Sequence, residues 1–155
     1  MYKVINATCM HDFVHYNYYS NGTLTEKYND FVKQDFISKI RDRLRIQLSY
    51  DGEPIHEIMR GDNGKDVVKT ADLLFMNDIK FQFKATLPYD MVKHLSKVWD
   101  TYYWLFLRYG NSVSYFPTLD TSCKDVKLMQ DNLDEFVKQM KDIAKKEYVF
   151  VNRYG

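Results

Sequence analysis

Residues 70 to 86 decide the predicted fold, and they read Thr-Ala-Asp-Leu-Leu-Phe-Met-Asn-Asp-Ile-Lys-Phe-Gln-Phe-Lys-Ala-Thr. Two short apolar runs, Leu73 to Met76 and Ile79 to Ala85, are separated by the dipeptide Asn77-Asp78, which is typical of a tight turn. The second run alternates apolar and polar residues, as a strand with one buried face does. We therefore predict a β-hairpin in this stretch.

The polar residues of this predicted hairpin suggest a reaction. The alternation predicts that Gln82 and Lys84 lie side by side on the polar face of the second strand. Asp72 precedes them on the opposing strand, where a hairpin can bring it close to both. An acid, a second oxygen ligand and a lysine are what a Mg²⁺-dependent phosphodiesterase needs, because the oxygens hold the metal and the ammonium group polarises the attacking water. The alternative is a hairpin that is polar outside, apolar inside and without chemistry.

Asp72 and the strand Phe81-Gln82-Phe83-Lys84 resemble the motif of the PD-(D/E)xK nuclease superfamily, which includes many restriction endonucleases. In that motif an Asp is followed, after a gap, by an apolar residue, Asp or Glu, another apolar residue and Lys. Gln82 departs from the pattern, although a Gln variant is known among modification-dependent restriction enzymes. Gln offers a carbonyl oxygen without charge, so the resemblance implies weakened metal binding or an inactive relative.

The resemblance also implies roles for individual residues in the cleavage of DNA. Mg²⁺ or Mn²⁺ would be held by three oxygens, those of Asp72, Gln82 and the backbone carbonyl of Phe83. Lys84 would position or activate the attacking water. Glu26 or Glu57 would supply the missing acid.

A locally basic segment is the predicted contact with nucleic acid. It consists of Lys39, Arg41, Arg43 and Arg45, to which His94 is added as a residue able to approach a phosphate or a base edge. The alternative is a solvated helix end whose cations interact favourably with the helix dipole. The tyrosines Tyr16, Tyr18 and Tyr19 could stack on bases, form a protein interface or cover the core.

Composition sets the limits of these hypotheses. The length of 155 residues fits a single nuclease-like domain over residues 1–155, and a net charge of +1 restricts any nucleic-acid contact to a local patch. Cys9 and Cys123 form no zinc-binding spacing. No apolar run approaches the roughly 20 residues of a membrane span, and the N-terminus lacks a signal-peptide pattern. We predict a cytoplasmic protein.

The predicted order of elements is similar to the α-β-β-β-α-β core of the same superfamily. Helices are expected at 24–44, after Pro88 and at 124–145, and strands at 2–9, 13–19, 46–50, in the hairpin, at 112–117 and at 147–152. For 101–109 we favour a core strand that pairs with 112–117, and the alternative is an extension of the preceding helix to Tyr109. The fold class is thus α+β, with helices 24–44 and 124–145 packed on a mixed sheet of at least four strands.

Two functions follow from these observations. The first is a metal-dependent endonuclease that cleaves DNA, and the length of the chain would fit a small type II restriction-like enzyme. Such an enzyme would act as a C₂ homodimer with aromatic residues at its interface. The second is a noncatalytic, phage-encoded interaction protein that inhibits a host defence or nucleic-acid enzyme. Small size, near-zero net charge and Gln82 in place of an acid favour the second.

Overall fold

The computed structural model describes residues 15–110 and 132–154. Within them lie three β-strands, which are β1 (Tyr16–Ser20), β2 (Leu44–Ser49) and β3 (Lys80–Lys84). The α-helices of the same residues are α1 (Thr25–Val32), α2 (Asp35–Ile40), α3 (Ile55–Arg60), α4 (Gly64–Met76), α5 (Leu95–Tyr109) and α6 (Leu133–Tyr154). Two 3₁₀ helices, Arg41–Arg43 and Tyr89–His94, lead into β2 and α5.

The three strands form one parallel sheet in the order β1-β2-β3. Parallel neighbours cannot be joined by a tight turn, and each connection here contains two helices, α1 and α2 before β2 and α3 and α4 before β3. Helices α1 and α4 pack on each other, so the two crossovers lie on the same face of the sheet. The mixture of helices and strands agrees with the predicted α+β class. Among the described residues the sheet is three-stranded and parallel, where a mixed sheet of four or more strands was expected.

The predicted hairpin is wrong in its first strand, because Asp72 and the following residues to Met76 belong to helix α4. The buried side chains of this helix follow the three- and four-residue spacing of a helix, and they include Val67, Thr70, Ala71 and Leu74. A run of four apolar residues cannot distinguish a strand from a helix by itself. The second strand of the prediction is confirmed as β3.

The dipeptide Asn77-Asp78 ends a helix instead of joining two strands. The backbone N–H groups of Asn77 and Ile79 donate to the Leu74 carbonyl at 3.2 and 3.0 Å, which closes the last turn of α4. Asp78 has φ 54°, a left-handed conformation that Asp tolerates better than most residues. The turn was therefore correctly located, but it reverses the chain from α4 into β3.

Three further expectations are corrected, at the first crossover, at residues 101–109 and at the C-terminus. The helix predicted over 24–44 is divided, because Gln34 adopts an extended backbone with ψ 135° between α1 and α2, and Leu44 already begins β2. The closing strand predicted at 147–152 belongs to α6, and 101–109 is helical in α5. The strands predicted at 2–9 and 112–117, and residues 124–131 of the last predicted helix, lie outside the described residues.

The core lies between one face of the sheet and the helices. The inward side chains of β2 and β3 are buried, and they are Leu44, Ile46, Leu48, Phe81 and Phe83. Burial of such a side chain stabilises a fold by about 1.5–3 kcal/mol. The hydroxyl of Tyr102 on α5 donates to the Tyr50 carbonyl at 2.5 Å, which fixes α5 at the end of β2. Within the described ranges, no helix is both long and apolar enough to cross a membrane.

Candidate functional site

Asp72, the predicted first metal ligand, is engaged by two residues of α5. Its Oδ1 accepts a hydrogen bond from Arg108 Nε at 2.8 Å, and its Oδ2 accepts one from Arg108 Nη2 at 2.9 Å. The Tyr109 hydroxyl donates to Oδ1 at 2.8 Å. Asp72 therefore joins helix α4 to helix α5.

Asp72 lies on the opposite side of the sheet from the other two predicted catalytic residues. The ring of Tyr109, whose hydroxyl binds Asp72, packs on Phe81 with ring centroids 5.3 Å apart. Side chains alternate along a strand, so Gln82 and Lys84 point away from the face on which Phe81 and Tyr109 meet. The described structure does not bring Asp72 together with Gln82 and Lys84.

The contacts with α5 also set the ionisation of Asp72. Partial burial alone would raise the pKa of its carboxyl group, but the hydrogen bonds from Arg108 and Tyr109 and the charge of Arg108 lower that pKa below its usual value. Burial and the neighbouring carboxylate raise the pKa of the Tyr109 hydroxyl. Asp72 is thus a carboxylate at neutral pH that is already matched by a cation.

Gln82, Phe83 and Lys84 lie on β3 as the sequence predicted. The Gln82 amide donates to the Gln47 side-chain oxygen at 3.2 Å, across the strand pair that aligns these two residues. Phe83 pairs with Leu48 in the sheet, and its ring is buried. Lys84 is half-buried on the same face as Gln82.

The two candidates for an additional acid lie on helices far apart in the chain. Glu26, in the first turn of α1, lines a shallow depression of about 390 Å³ together with Lys69 and Asp72. Glu57, in the first turn of α3, lines a different cleft. Among residues 15–110 and 132–154, no group of three or more His, Cys, Asp or Glu side chains is arranged to hold a metal ion.

The predicted basic segment divides into paired and exposed cations. Arg41 forms an ion pair with Asp78 at 3.5 Å, and Arg43 Nη2 donates to the Lys39 carbonyl at 3.0 Å. Arg45 is an exposed, outward-facing residue of β2. His94 ends the 3₁₀ helix before α5, where partial burial and the charges of nearby lysines lower its pKa.

The outward face of the sheet, which we call the polar sheet face, is polar along all three strands. Its residues align in rows across the sheet, namely Asn17, Arg45 and Lys80, then Tyr19, Gln47 and Gln82, then Ser49 and Lys84. These eight positions hold three cations, four amide or hydroxyl side chains, one tyrosine and no carboxylate. Tyr19 is 69% exposed, whereas Tyr16 and Tyr18 are half-buried and pack against the core.

A buried polar cluster at the carboxyl end of the sheet was not anticipated from the sequence. Asp51 and His56 are both 1% exposed. Asp51 binds Arg60 through two hydrogen bonds and accepts one from the Thr86 backbone N–H at 2.7 Å. His56 Nδ1 accepts from the Asp51 N–H at 3.2 Å, so its Nε2 donates to the Asn63 side-chain oxygen at 2.7 Å.

This cluster ties the segment after β2 to the segment after β3 and to helix α3. Burial by itself would raise the pKa of Asp51, but the contacts with His56, Arg60 and the Thr86 N–H lower it. The signal in the sequence is weak, because the dipeptide Asp51-Gly52 is typical of a turn that ends a strand and Thr86 is distant along the chain. Beside the cluster, Tyr50, Glu53, Glu57, Lys65 and Trp104 help to line an open cleft of about 750 Å³.

Comparison of the chain with models of protein families, with curated proteins and with solved structures found no match. The interpretation of the site therefore depends on the residues and geometry of this chain.

Proposed function

We propose that this protein binds single-stranded nucleic acid through the polar sheet face. The observation that carries the proposal is the composition of that face, which combines three cations, hydrogen-bonding side chains and an exposed aromatic ring without a carboxylate. The whole chain has a net charge of only +1, so this concentration of positive charge is local. Such a patch is the electrostatic signature of a phosphate-binding surface.

The spacing of the cations suits an extended phosphate backbone. Arg45 and Lys80 are direct neighbours across strands, which places their backbones about 4.8 Å apart. Lys80 and Lys84 lie on one strand, about 13 Å apart at a rise of about 3.3 Å per residue. A strand of nucleic acid that runs along β3 can therefore place one phosphate near Arg45 and Lys80 and a later phosphate near Lys84.

An exposed tyrosine favours a single strand over a duplex. Tyr19 is on β1, the outermost strand of the sheet among the described residues, beside Gln47 in the same row. Stacking of a base on an aromatic ring stabilises single-strand complexes by about 1–3 kcal/mol per base, and it needs a base that is unpaired and accessible. Gln47 is the neighbour of Tyr19 in this row and is hydrogen-bonded to Gln82 on the next strand, so both amides lie on the face over which a stacked base would extend.

Nucleic-acid binding does not require cleavage. Metal-dependent cleavage of DNA remains a prediction, but the described positions of the polar sheet face supply no acid beside Gln82 and Lys84. A Mg²⁺ site there would need a carboxylate to neutralise the cation. Inhibition of a host protein likewise remains a prediction, and it becomes the preferred hypothesis if no nucleic acid binds.

The proposal is tested by fluorescence anisotropy with labelled DNA and RNA of about 20 nucleotides, a length above the about 4–16 nucleotides of known small binding sites. The double variant Lys80→Gln/Lys84→Gln should bind the single strands at least about tenfold more weakly than the parent, since both phosphate contacts are lost. The matched control Lys97→Gln/Lys141→Gln, which removes two exposed lysines from α5 and α6, should bind like the parent. Equal affinities of the parent and the Lys80/Lys84 variant would refute the proposal.

A further inference from the structure

Two Asn-Gly dipeptides occur in the chain, Asn21-Gly22 and Asn63-Gly64. An asparagine in this dipeptide can lose its side-chain amide without an enzyme, because the glycine has no side chain to hinder attack by its own main-chain nitrogen. In a folded protein the attack depends on how firmly the asparagine side chain and the following peptide group are held. The two sites differ in this respect.

Asn63 is held firmly at the start of helix α4. Its side-chain oxygen accepts a hydrogen bond from His56 Nε2 at 2.7 Å, and its Nδ2 donates to the Arg60 carbonyl at 2.9 Å. Its main-chain carbonyl accepts from the Asp66 N–H at 3.0 Å, so the peptide group between Asn63 and Gly64 is part of the first helical turn. Attack of the Gly64 nitrogen on the Asn63 side chain would break these contacts.

Asn21 is held far less. It follows the last residue of β1, its side chain is exposed, and that side chain forms no hydrogen bond within residues 15–110 and 132–154. The attacking group, the Gly22 N–H, donates to the Ser20 hydroxyl at 3.0 Å. Rotation of this short side chain to another rotamer releases the contact without any change in the main chain. Asn21 is therefore the Asn-Gly site that is open to reaction.

We propose that Asn21 deamidates spontaneously and that the resulting carboxylate weakens the binding of nucleic acid to the polar sheet face. The Gly22 nitrogen forms a bond to Asn21 Cγ, and its proton passes through solvent to the side-chain nitrogen, which leaves as ammonia. Water then opens the cyclic imide. Cleavage of the bond between the Gly22 nitrogen and Cγ gives aspartate, and cleavage of the bond to the main-chain carbonyl carbon gives isoaspartate. Each product carries one new carboxylate, and water is the only other reactant.

The new carboxylate would lie at the edge of the polar sheet face. Side chains alternate along β1, and Asn21 follows Tyr19 on the outward side. The register of β1 with β2 brings Asn21 level with Ser49, in the row that ends at Lys84. Two strand spacings of about 4.8 Å separate the backbones of Asn21 and Lys84. Since the face holds three cations and no carboxylate, one negative charge at its edge removes a third of its net positive charge.

Mass spectrometry of tryptic peptides follows both asparagines in one sample. Trypsin cleaves after Lys and Arg, so Asn21 is recovered in residues 4–27 and Asn63 in residues 61–65, and fragmentation assigns the change to one asparagine. During incubation of the intact protein in mildly alkaline buffer, Asn21 should convert at least about tenfold faster than Asn63, whose reaction requires local opening of α4. A sample taken before incubation measures any conversion that occurs during digestion.

The same incubation in urea shows whether the fold causes the difference. In the unfolded protein the contacts of Asn63 are lost, so its rate should approach that of Asn21. A difference that persists unchanged in urea would overturn the structural explanation. An Asn21 that stays intact in the folded protein, or converts no faster than Asn63, would overturn the proposed deamidation.

The effect on binding is tested with Asn21→Asp, which carries the aspartate product from the start. In anisotropy measurements with the labelled single strands it should bind at least about twofold more weakly than the parent at or below about 0.1 M salt, where exposed charges about 10 Å apart still interact. The difference should shrink as the salt concentration rises. Asn21→Gln, and Asn29→Asp with the same new charge on α1, are the matched controls and should bind like the parent.

The two parts of the proposal fail separately. The effect on binding rests on the proposed function, whereas the deamidation does not. If the parent binds single strands and Asn21→Asp binds them equally well, the effect on binding is overturned. If the parent binds no nucleic acid, the proposed function is refuted and the effect on binding with it, while the peptide masses still decide whether Asn21 deamidates.

Discussion

Arg108 binds Asp72 through two parallel hydrogen bonds of 2.8 and 2.9 Å, and this pair joins α5 to α4. A two-point contact between guanidinium and carboxylate fixes the relative orientation of both groups. The Tyr109 hydroxyl reinforces it from the same helix. Asp72 therefore has a structural partner on the core side of the sheet. Gln82 and Lys84, the other two residues of the nuclease motif, lie on the opposite side.

Replacement of Asp72 separates a structural role from a role in binding or cleavage. Asp72→Ala should lower the urea midpoint slightly, since the ion pair is partly exposed and such pairs stabilise little. Its affinity for single-stranded nucleic acid should equal that of the parent. Anisotropy and urea unfolding of the same preparation measure both effects, and a loss of affinity in a fully folded Asp72→Ala protein would return Asp72 to the functional site.

The Asp51 cluster should dominate the stability of the loop region at the carboxyl end of the sheet. Asp51→Ala leaves the Thr86 N–H without its acceptor, and an unsatisfied buried polar group costs about 1–3 kcal/mol, whereas Arg60 has a side chain that is 33% exposed and can be solvated. Asp62→Ala, at an exposed position nearby, should change the free energy of unfolding by less than about 0.5 kcal/mol. Equal stability of the two variants in urea would contradict this account.

The same carboxylate should make stability depend on acidity. The folded-state pKa of Asp51 is lowered, so its stabilising contribution is complete above the unfolded-state value of about 3.9 and is lost as the pH falls through the lower folded-state pKa. Unfolding free energies measured between pH 3 and pH 6 for the parent and for Asp51→Asn should converge towards the acid end of this range. A constant difference between the two proteins would show that ionisation of Asp51 is not responsible.

The sequence predicted correctly the elements whose alternation of apolar and polar residues runs through the whole element. The alternation Ile79 to Ala85 identified β3 and its polar side, and the strand at 46–50 was found by the same pattern. The four-residue run at Leu73 was ambiguous, because its helical period becomes visible only from Val67 onwards. Contacts between residues distant in the chain, such as Asp51 with Thr86, carry no local pattern and could not be predicted.

Alanine substitutions at two glycines with positive φ separate the cost of backbone strain from the cost of a steric clash. Gly110 has φ 62° and open space around an added Cβ, so Gly110→Ala should cost about 1–2 kcal/mol from the left-handed conformation alone. Gly52 has φ 76°, and its added Cβ would lie 2.9 Å from Val98 Cγ1. Gly52→Ala should therefore be the more destabilised protein in thermal unfolding, and the reverse order would be inconsistent with the packing of α5 on this turn.

The aromatic part of the proposed site is tested by Tyr19→Ala. Loss of one stacked base should weaken the binding of single-stranded nucleic acid by about 1–3 kcal/mol, while weak binding to a duplex should hardly change. Phe106→Ala, which removes an exposed ring from α5, is the control and should leave the affinity unchanged. If both variants bind single strands like the parent, base stacking has no part in recognition.

Nuclear magnetic resonance locates the bound strand without any substitution. Titration of ¹⁵N-labelled protein with single-stranded DNA should shift the side-chain amide signals of Asn17, Gln47 and Gln82 and the backbone amides of Tyr19 and Lys80, which report on the polar sheet face. The amides of α3 and the exposed side of α6 should stay unchanged. Shifts that concentrate on those helices, or no shifts at saturating DNA, would contradict binding at the polar sheet face.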